Sequence, residues 1–174
     1  MSFYQRLAKV GEKYLPKSTL FKYGFNLSPM YRRSTGKLTS VSKDLSHITV
    51  ALRLSYKNRN FVGTMFGGSM FAAVDPIPMV QLMQLLGDEY VVWDKSAEIF
   101  FKRPGTETMY AAFHFSAQEL ETIKTRVASA QEIDFVKKTT LTNKDGSVVF
   151  CEVHKTIYVA QKGFYKAKRA AART

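Results

Sequence analysis

The residues whose types and spacing could perform chemistry lie in one short segment. Asn60 precedes a Gly67-Gly68 pair, and Asp75 is the only charged residue between Arg59 and Asp88. Glycines at the start of a helix leave backbone N–H groups exposed at the positive end of the helix dipole. Such donors can polarise a carbonyl and hold an oxyanion. Tight helix packing is the other use of a glycine pair, and the residues alone leave both uses open.

The sequence lacks the residue patterns of metal-dependent, nucleotide-dependent, serine and cysteine catalysis. The three histidines, His47, His114 and His154, are scattered, and no zinc-binding, nucleotide-binding or serine-hydrolase motif is present. Cys151 shares a strand face with valines, which predicts a buried, unreactive thiol. We therefore expect no metal and no cofactor.

A long apolar helix must position this segment. The pattern predicts a helix over Thr64–Leu86 that ends at Gly87 and breaks at Asp75, where Pro76 occupies a first helical position. Asp75 then has two possible roles, as a reactive carboxylate or as the N-cap of the second half. A capping carboxylate would be a poor general base, and the residues alone leave these roles evenly balanced.

Alternating apolar and polar residues predict an antiparallel sheet around this helix. The predicted strands are Lys37–Lys43, Ile48–Tyr56, Tyr90–Lys102, Glu107–Phe115, Glu132–Thr142 and Val148–Ala160. Ser116 and Glu119 form the pattern of a capping box that opens a further helix. Further helices are predicted over residues 2–14 and from a Ser18 cap to Leu27. The predicted fold is α+β, with a helical extension over residues 1–35, one sheet-and-helix domain over 36–160 and a frayed basic tail over 161–174.

Charge and composition limit the function classes. The 174 residues carry a net charge of +12, with +10 in residues 1–59, −3 in 60–160 and +5 in 161–174. Solvation is the first explanation of these basic ends. Nucleic-acid binding ranks last because aromatic and basic residues are not interleaved. The chain has one cysteine and no signal-peptide pattern, which predicts a cytoplasmic protein. Polar residues interrupt the apolar helix, which predicts that the helix is not a transmembrane segment.

The spacing in the central segment resembles the hotdog-fold acyl-CoA thioesterases of the phenylacetic-acid-degradation type. That family has Asn, then His-Gly-Gly six residues later, then Asp or Glu seven residues past the second glycine. The corresponding residues are Asn60, Phe66-Gly67-Gly68 and Asp75, and the strand order agrees over residues 36–160. The N-terminal helices and the GTMFGG segment are more similar to an uncharacterised branch of that superfamily, a domain of unknown function.

The resemblance implies a hotdog fold and hydrolysis of an acyl-CoA or related thioester, with coenzyme A as part of the substrate. The Gly68 N–H would polarise the carbonyl, Asn60 would orient the reactants, and Asp75 of the other subunit would be base or nucleophile. A homodimer or a dimer of dimers follows. The basic N-terminal region could hold the CoA phosphates. The expected substrate-binding residues are Thr64, Phe66, Gly67, Ser69, Met70, Phe71 and Val74. The acyl chain would enter an apolar channel beside the last three of these.

Phe66 departs from the family pattern because a phenyl ring cannot hydrogen-bond a carbonyl or water. Three outcomes follow. The backbone N–H is enough to polarise the carbonyl, the Thr64 or Ser69 hydroxyl takes the place of the histidine, or the activity is lost. In the last case the protein would be a non-catalytic acyl-CoA or fatty-acyl binding protein.

Overall fold

A curved six-stranded antiparallel sheet wraps around a central helix. The computed structural model of the protein describes residues 10–11 and 13–172. The helices are α1 (Lys17–Leu27), α2 (Pro29–Arg33), α3 (Gly67–Val74), α4 (Pro76–Leu86), α5 (Ala117–Ala130) and α6 (Lys162–Ala171). The strands are β1 (Gly36–Val41), β2 (His47–Leu52), β3 (Tyr90–Phe101), β4 (Met109–His114), β5 (Glu132–Thr142) and β6 (Val149–Gln161), in the sheet order β1-β2-β4-β5-β6-β3.

The central helix is α3 and α4 together, and it supplies one half of the core. Its buried residues pack against the inward residues of the sheet, including Leu38, Ile48, Val50, Met109, Ala111 and Phe113. By length and composition Gly67–Leu86 could cross a membrane, but half of that stretch is buried inside the domain. The apolar character of this helix is therefore explained by its enclosure in the sheet.

The two edges of the sheet differ. The backbone of Leu38 in β1 is hydrogen-bonded by the side chain of Asn26 in α1, at 2.9 Å to its carbonyl and 2.8 Å from its N–H. The Lys22 ammonium also donates to the carbonyl of Thr39, at 2.7 Å. Helix α1 therefore covers the β1 edge, whereas β3, twelve residues long, pairs only with β6 within the described residues.

Several sequence predictions are confirmed and others are wrong at their ends. Strand β5 has the predicted bounds, and Gly87 ends α4 with a φ of 83°. Strand β2 ends at Leu52 rather than Tyr56, because the chain turns where the buried Asn58 side chain accepts a hydrogen bond from the Ser55 N–H. Ser116 caps α5 by accepting from the Glu119 N–H.

Three further predictions concern the ends of the chain. The Ser18 cap is wrong, since α1 already begins at Lys17 and has no side-chain cap. The predicted helix over residues 2–14 lies largely outside the described residues. The frayed tail is also wrong over α6, because Lys168 pairs with Glu132 at 2.7 Å and the Tyr165 ring contacts Tyr158.

Candidate functional site at the central helix

Asn60 shapes the loop that leads into the central helix. Its side-chain oxygen accepts hydrogen bonds from the N–H groups of Val62 and Thr64, at 3.1 and 3.0 Å. Its amide nitrogen donates to the Thr64 hydroxyl at 2.9 Å. These contacts occupy Asn60 within its own loop and leave the amide one further hydrogen to donate. Its role in orienting a reactant remains a prediction.

The start of α3 has free hydrogen-bond donors. Phe66 is the N-cap residue, and its side chain gives the helix no capping hydrogen bond. The Ser69 and Met70 N–H groups both donate to the Phe66 carbonyl, at 3.0 and 3.2 Å. Within the described residues, the N–H groups of Gly67 and Gly68 donate to no acceptor. Two adjacent N–H groups at the positive end of a helix form an anion-binding position.

Aromatic rings lie against both glycines. A Cβ at Gly68 would come within 2.3 Å of the Phe66 ring, and a Cβ at Gly67 within 2.6 Å of the Phe101 ring. Only glycine permits these contacts without a shift of the rings. Both rings are themselves more than half exposed. The glycine pair therefore allows close ring packing and leaves N–H groups free, so both of its possible uses have structural support.

Asp75 lies where the central helix is divided, but it is not a cap. Its φ of −50° and ψ of −54° are helical, and its side chain makes no capping hydrogen bond. The capping alternative is therefore wrong, because an N-cap needs an extended backbone that turns the side chain toward the first N–H groups. Instead, the Asp75 carboxylate accepts from Lys155 of β6, with Oδ1 2.5 Å from Nζ.

Lys155 joins two carboxylates under the helix. Its ammonium is 2.5 Å from Asp75 Oδ1 and 2.8 Å from Asp94 Oδ2 of β3, while its side chain is only 3% exposed. Burial raises the pKa of the Asp94 carboxyl, and the hydrogen bond from Lys155 partly offsets that effect. The other Asp94 oxygen, Oδ1, is buried and has no hydrogen-bond partner among the described residues.

The sequence predictions missed Lys155 and Asp94, although each had a signal. Lys155 alternates in phase with the buried Val153 and Ile157, at a position where the pattern calls for an apolar residue. Asp94 alternates in phase with the buried Val92, just before a β-bulge in the pairing of β3 with β6. Bulges are common beside functional sites because they redirect side chains.

Gly68 and Asp75 of one chain lie too far apart for Asp75 to attack directly a carbonyl that the Gly68 N–H holds. They are seven residues apart along continuous helical backbone, which corresponds to a rise of about 10 Å. A reacting carbon must lie within roughly 3–3.5 Å of its attacking atom. Direct attack by Asp75 on a carbonyl held by the Gly68 N–H therefore needs the two residues from different copies, whereas a bridging water would let both act within one chain.

The expected acyl-channel residues are packed rather than open. Met70 and Val74 are buried in the core, and Phe71 packs against it. Two surface cavities, of about 420 and 270 Å³, lie elsewhere, the first beside Glu107 and Asn143 and the second beside Gln118. An acyl channel at these residues would have to open on binding or form between copies.

The described part of the chain contains no cluster of three or more His, Cys, Asp or Glu side chains that could hold a metal ion. Burial raises the pKa of the Cys151 thiol to about 11, so this cysteine is a poor nucleophile near neutral pH. The reactive groups available at the helix are therefore N–H donors, hydroxyls and the Asp75 carboxylate.

Comparison with solved structures identifies the fold class. A Pseudomonas aeruginosa protein of unknown function, described as a probable thioesterase, is 17% identical, with a TM-score of 0.71 over 84% of this chain and 97% of that one. A Haemophilus influenzae thioesterase is 11% identical, with a TM-score of 0.52 over 92% of each chain. A hypothetical thioesterase from Streptococcus pneumoniae, solved with coenzyme A, is 15% identical, with a TM-score of 0.52 over 80% of this chain and 96% of that one.

These structures confirm the predicted hotdog fold. The chain belongs to the family described as a domain of unknown function, DUF4442, whose model matches residues 17–159. No curated protein matches the sequence significantly. At such low identities the structural likeness establishes the fold, and the activity has to be argued from the site.

Proposed function

We propose that this protein hydrolyses an acyl-CoA or a related acyl thioester at a site shared between two copies. The observation that carries the proposal is the uncapped start of α3, where the N–H groups of Gly67 and Gly68 bond to no acceptor within the described residues. An acyl thioester presents a carbonyl oxygen that becomes negative during attack. Donors already aimed at that charge are worth about 10²–10³-fold in rate.

In the proposed reaction, the Gly68 N–H and the Asp75 carboxylate act on the same thioester. The Gly68 N–H holds the thioester oxygen, and Thr64 or Ser69 supplies a hydroxyl where Phe66 cannot donate. The Asp75 carboxylate either takes a proton from an attacking water or attacks the carbonyl carbon itself. A carbon–oxygen bond forms and the carbon–sulfur bond breaks. If water attacks, the proton taken by Asp75 passes to the departing sulfur of CoA, and if Asp75 attacks, CoA leaves as a thiolate that takes a proton from water. If Asp75 attacks, water then hydrolyses the acyl-aspartate.

Two features support assembly from two copies. The seven-residue separation of Gly68 and Asp75 favours a second chain, because direct attack by Asp75 on a carbonyl at Gly68 cannot occur within one chain. Within the part of the chain that the structure describes, strand β3 pairs on one side only, and Trp93, Phe100 and Phe101 on it are exposed. A long, partly apolar edge strand readily pairs with another chain. We propose that β3 contributes to a homodimer that brings Asp75 of one copy toward Gly68 of the other.

Basic side chains near the helix start suit the phosphates of CoA. Arg59 lies in the loop that bridges to Met65, and Lys102 and Arg103 directly follow Phe101, whose ring lies against Gly67. All three basic residues are exposed, and within the described residues none forms a salt bridge. Such a cluster favours a ligand that carries several negative charges.

The second candidate function is binding of an acyl thioester without hydrolysis. The Phe66 ring favours it, because the ring lies against Gly68 where the resembled family has a histidine. An apolar ring there could hold an acyl group and shield the N–H from water.

Thiol release from a panel of acyl-CoA esters of increasing chain length distinguishes the two functions. We expect release proportional to protein concentration, with a chain-length preference. Tight binding of an acyl-CoA without thiol release would favour the second candidate and contradict the first.

A further inference from the structure

A lysine occupies a core position directly beneath the central helix. Lys155 lies in β6 between the buried Val153 and Ile157, and its side chain is 3% exposed. Lysine is almost never fully buried unless it is paired. An apolar residue at this position would extend the core without the cost of dehydrating an ammonium group. The presence of lysine therefore calls for a role that a core residue would not supply.

We propose that Lys155 is a positioning residue that fixes the Asp75 carboxylate for the reaction. This inference rests on the proposed thioesterase function, and it assigns to Lys155 no contact with the substrate.

The contacts of the ammonium support this role. Nζ donates to the backbone carbonyl of Asp75 and to its side-chain Oδ1, each at 2.5 Å. Holding the backbone and the side chain of one residue together restricts the rotation of the carboxylate. The third donor is directed at Asp94 Oδ2, at 2.8 Å, so all three ammonium hydrogens have acceptors.

The geometry leaves one part of Asp75 available for chemistry. Its side chain is 40% exposed, whereas Lys155 is buried beneath it. Among the described residues, no hydrogen bond reaches the second carboxylate oxygen, Oδ2. The lysine thus binds one oxygen from the core side and leaves the other free to meet water or a thioester from the solvent side.

The N-terminal extension steadies the same part of the helix. The buried Tyr31 hydroxyl donates to the carbonyl of Ala73 at 2.9 Å, two residues before Asp75. Pro76 and Pro78 lack the N–H groups that would continue the helical hydrogen bonds here. The carbonyls left without a helical donor are those of Ala72 and Val74, and Tyr31 and Lys155 donate to the neighbouring carbonyls of Ala73 and Asp75.

Lys155→Met tests the proposal, with Lys137→Met as the matched control. Lys137 is paired with Lys155 in the sheet, is mostly buried, and forms an ion pair with Glu119 at 2.7 Å away from Asp75. For Lys155→Met we expect kcat to fall on the order of 10²-fold while KM changes little, because a misplaced reacting group impairs chemistry rather than binding. Lys137→Met should retain the wild-type kcat.

Each result has a distinct meaning. A folded Lys155→Met protein with the wild-type kcat, or an equal loss in Lys137→Met, would overturn the positioning role and leave the thioesterase proposal intact. Absence of turnover in the wild type would overturn both. If Lys155→Met does not fold, Lys155→Met/Asp94→Asn removes the ammonium together with its second anion. The same fall in kcat at unchanged KM is expected for that double variant, and the wild-type kcat would again overturn the role.

Discussion

Replacing Asp75 by Asn should separate the chemistry of this residue from its contribution to stability. Asn has the same shape and can accept the hydrogen bond from Lys155 through its amide oxygen, but it carries no charge. Lys155 keeps Asp94 at 2.8 Å and the Asp75 carbonyl at 2.5 Å, so its charge stays paired. The free energy of unfolding should therefore fall by the difference between a hydrogen bond to a charged acceptor and one to a neutral acceptor, about 1 kcal/mol.

The effect on turnover should be much larger. Removing a base or nucleophile lowers the rate by roughly 10²-fold or more, which corresponds to about 2.7 kcal/mol or more of activation free energy. A stability loss near 1 kcal/mol lowers Tm by only roughly 2–4 °C in a chain of this size. Asp75→Ala also removes the hydrogen-bond acceptor and should cost more stability, roughly 1.5–3 kcal/mol.

Thiol release and urea unfolding measure the two effects on the same preparations. Glu119→Gln is the matched control, because Glu119 also pairs with a mostly buried lysine, Lys137 at 2.7 Å, but lies on α5 away from the site. It should lose similar stability and keep full turnover. Wild-type turnover in a folded Asp75→Asn protein would refute the role of this carboxylate. A stability loss above about 4 kcal/mol would contradict the pairing of Lys155 with Asp94.

Three further predictions concern the other parts of the site. Phe66→His should raise turnover, because the half-exposed ring has no place in the core and an imidazole restores the missing donor. The protein should be at least a dimer by light scattering at micromolar concentration, because one edge of β3 has no strand partner among the described residues. Arg103→Glu should raise the KM for an acyl-CoA several-fold, and the rise should be smaller at high salt. The KM for the corresponding acyl-N-acetylcysteamine ester should not change, because that ester lacks phosphates.

A different result would contradict each of these predictions. Unchanged turnover in a folded Phe66→His protein would make position 66 structural. A strictly monomeric mass would count against any site that needs two chains. An equal rise in KM for both esters would mean that Arg103 acts on the acyl or pantetheine part, and the reversal Glu107→Lys on the adjoining exposed loop serves as the charge-change control.

The sheet and the central helix were predictable because local patterns determine them. Strand β5 has its predicted bounds since Ile133, Phe135 and Leu141 occupy alternate inward positions and a turn at Asn143 follows. Gly87 ends the helix at the predicted residue because its φ of 83° suits glycine. The predicted end of β2 was wrong, because the buried Asn58 donates to the hydroxyl of Thr35, 23 residues earlier, where the chain leaves the sheet.

The environment of Asp75 was not predictable, for a physical reason. An Asp-Pro pair at a helix division has the sequence of an N-cap, and only the backbone angles show that Asp75 is helical. Its actual partner, Lys155, lies eighty residues away on strand β6. Alternation in β6 marks Lys155 as a charged residue in a core position, but no local pattern indicates which anion it meets. Helix α6 likewise depends on Glu132, thirty-six residues earlier.

Mixed dimers test the central claim, that one active site takes Gly68 from one copy and Asp75 from the other. Gly68→Pro removes an N–H that bonds to nothing within the described residues, at a first-turn position where proline is tolerated. Gly68→Ala adds the same Cβ but keeps the N–H, and so controls for displacement of the Phe66 ring. Gly68→Pro and Asp75→Asn chains with different affinity tags are co-expressed, and dimers that carry both tags are isolated.

The decisive measurement is thiol release by these mixed dimers. One of their two sites then combines an intact Gly68 with an intact Asp75, and the other carries both defects. We predict about half of the wild-type activity per dimer, although each parent homodimer is nearly inactive. Mixed dimers as inactive as their parents, beside an active wild type, would contradict the shared site.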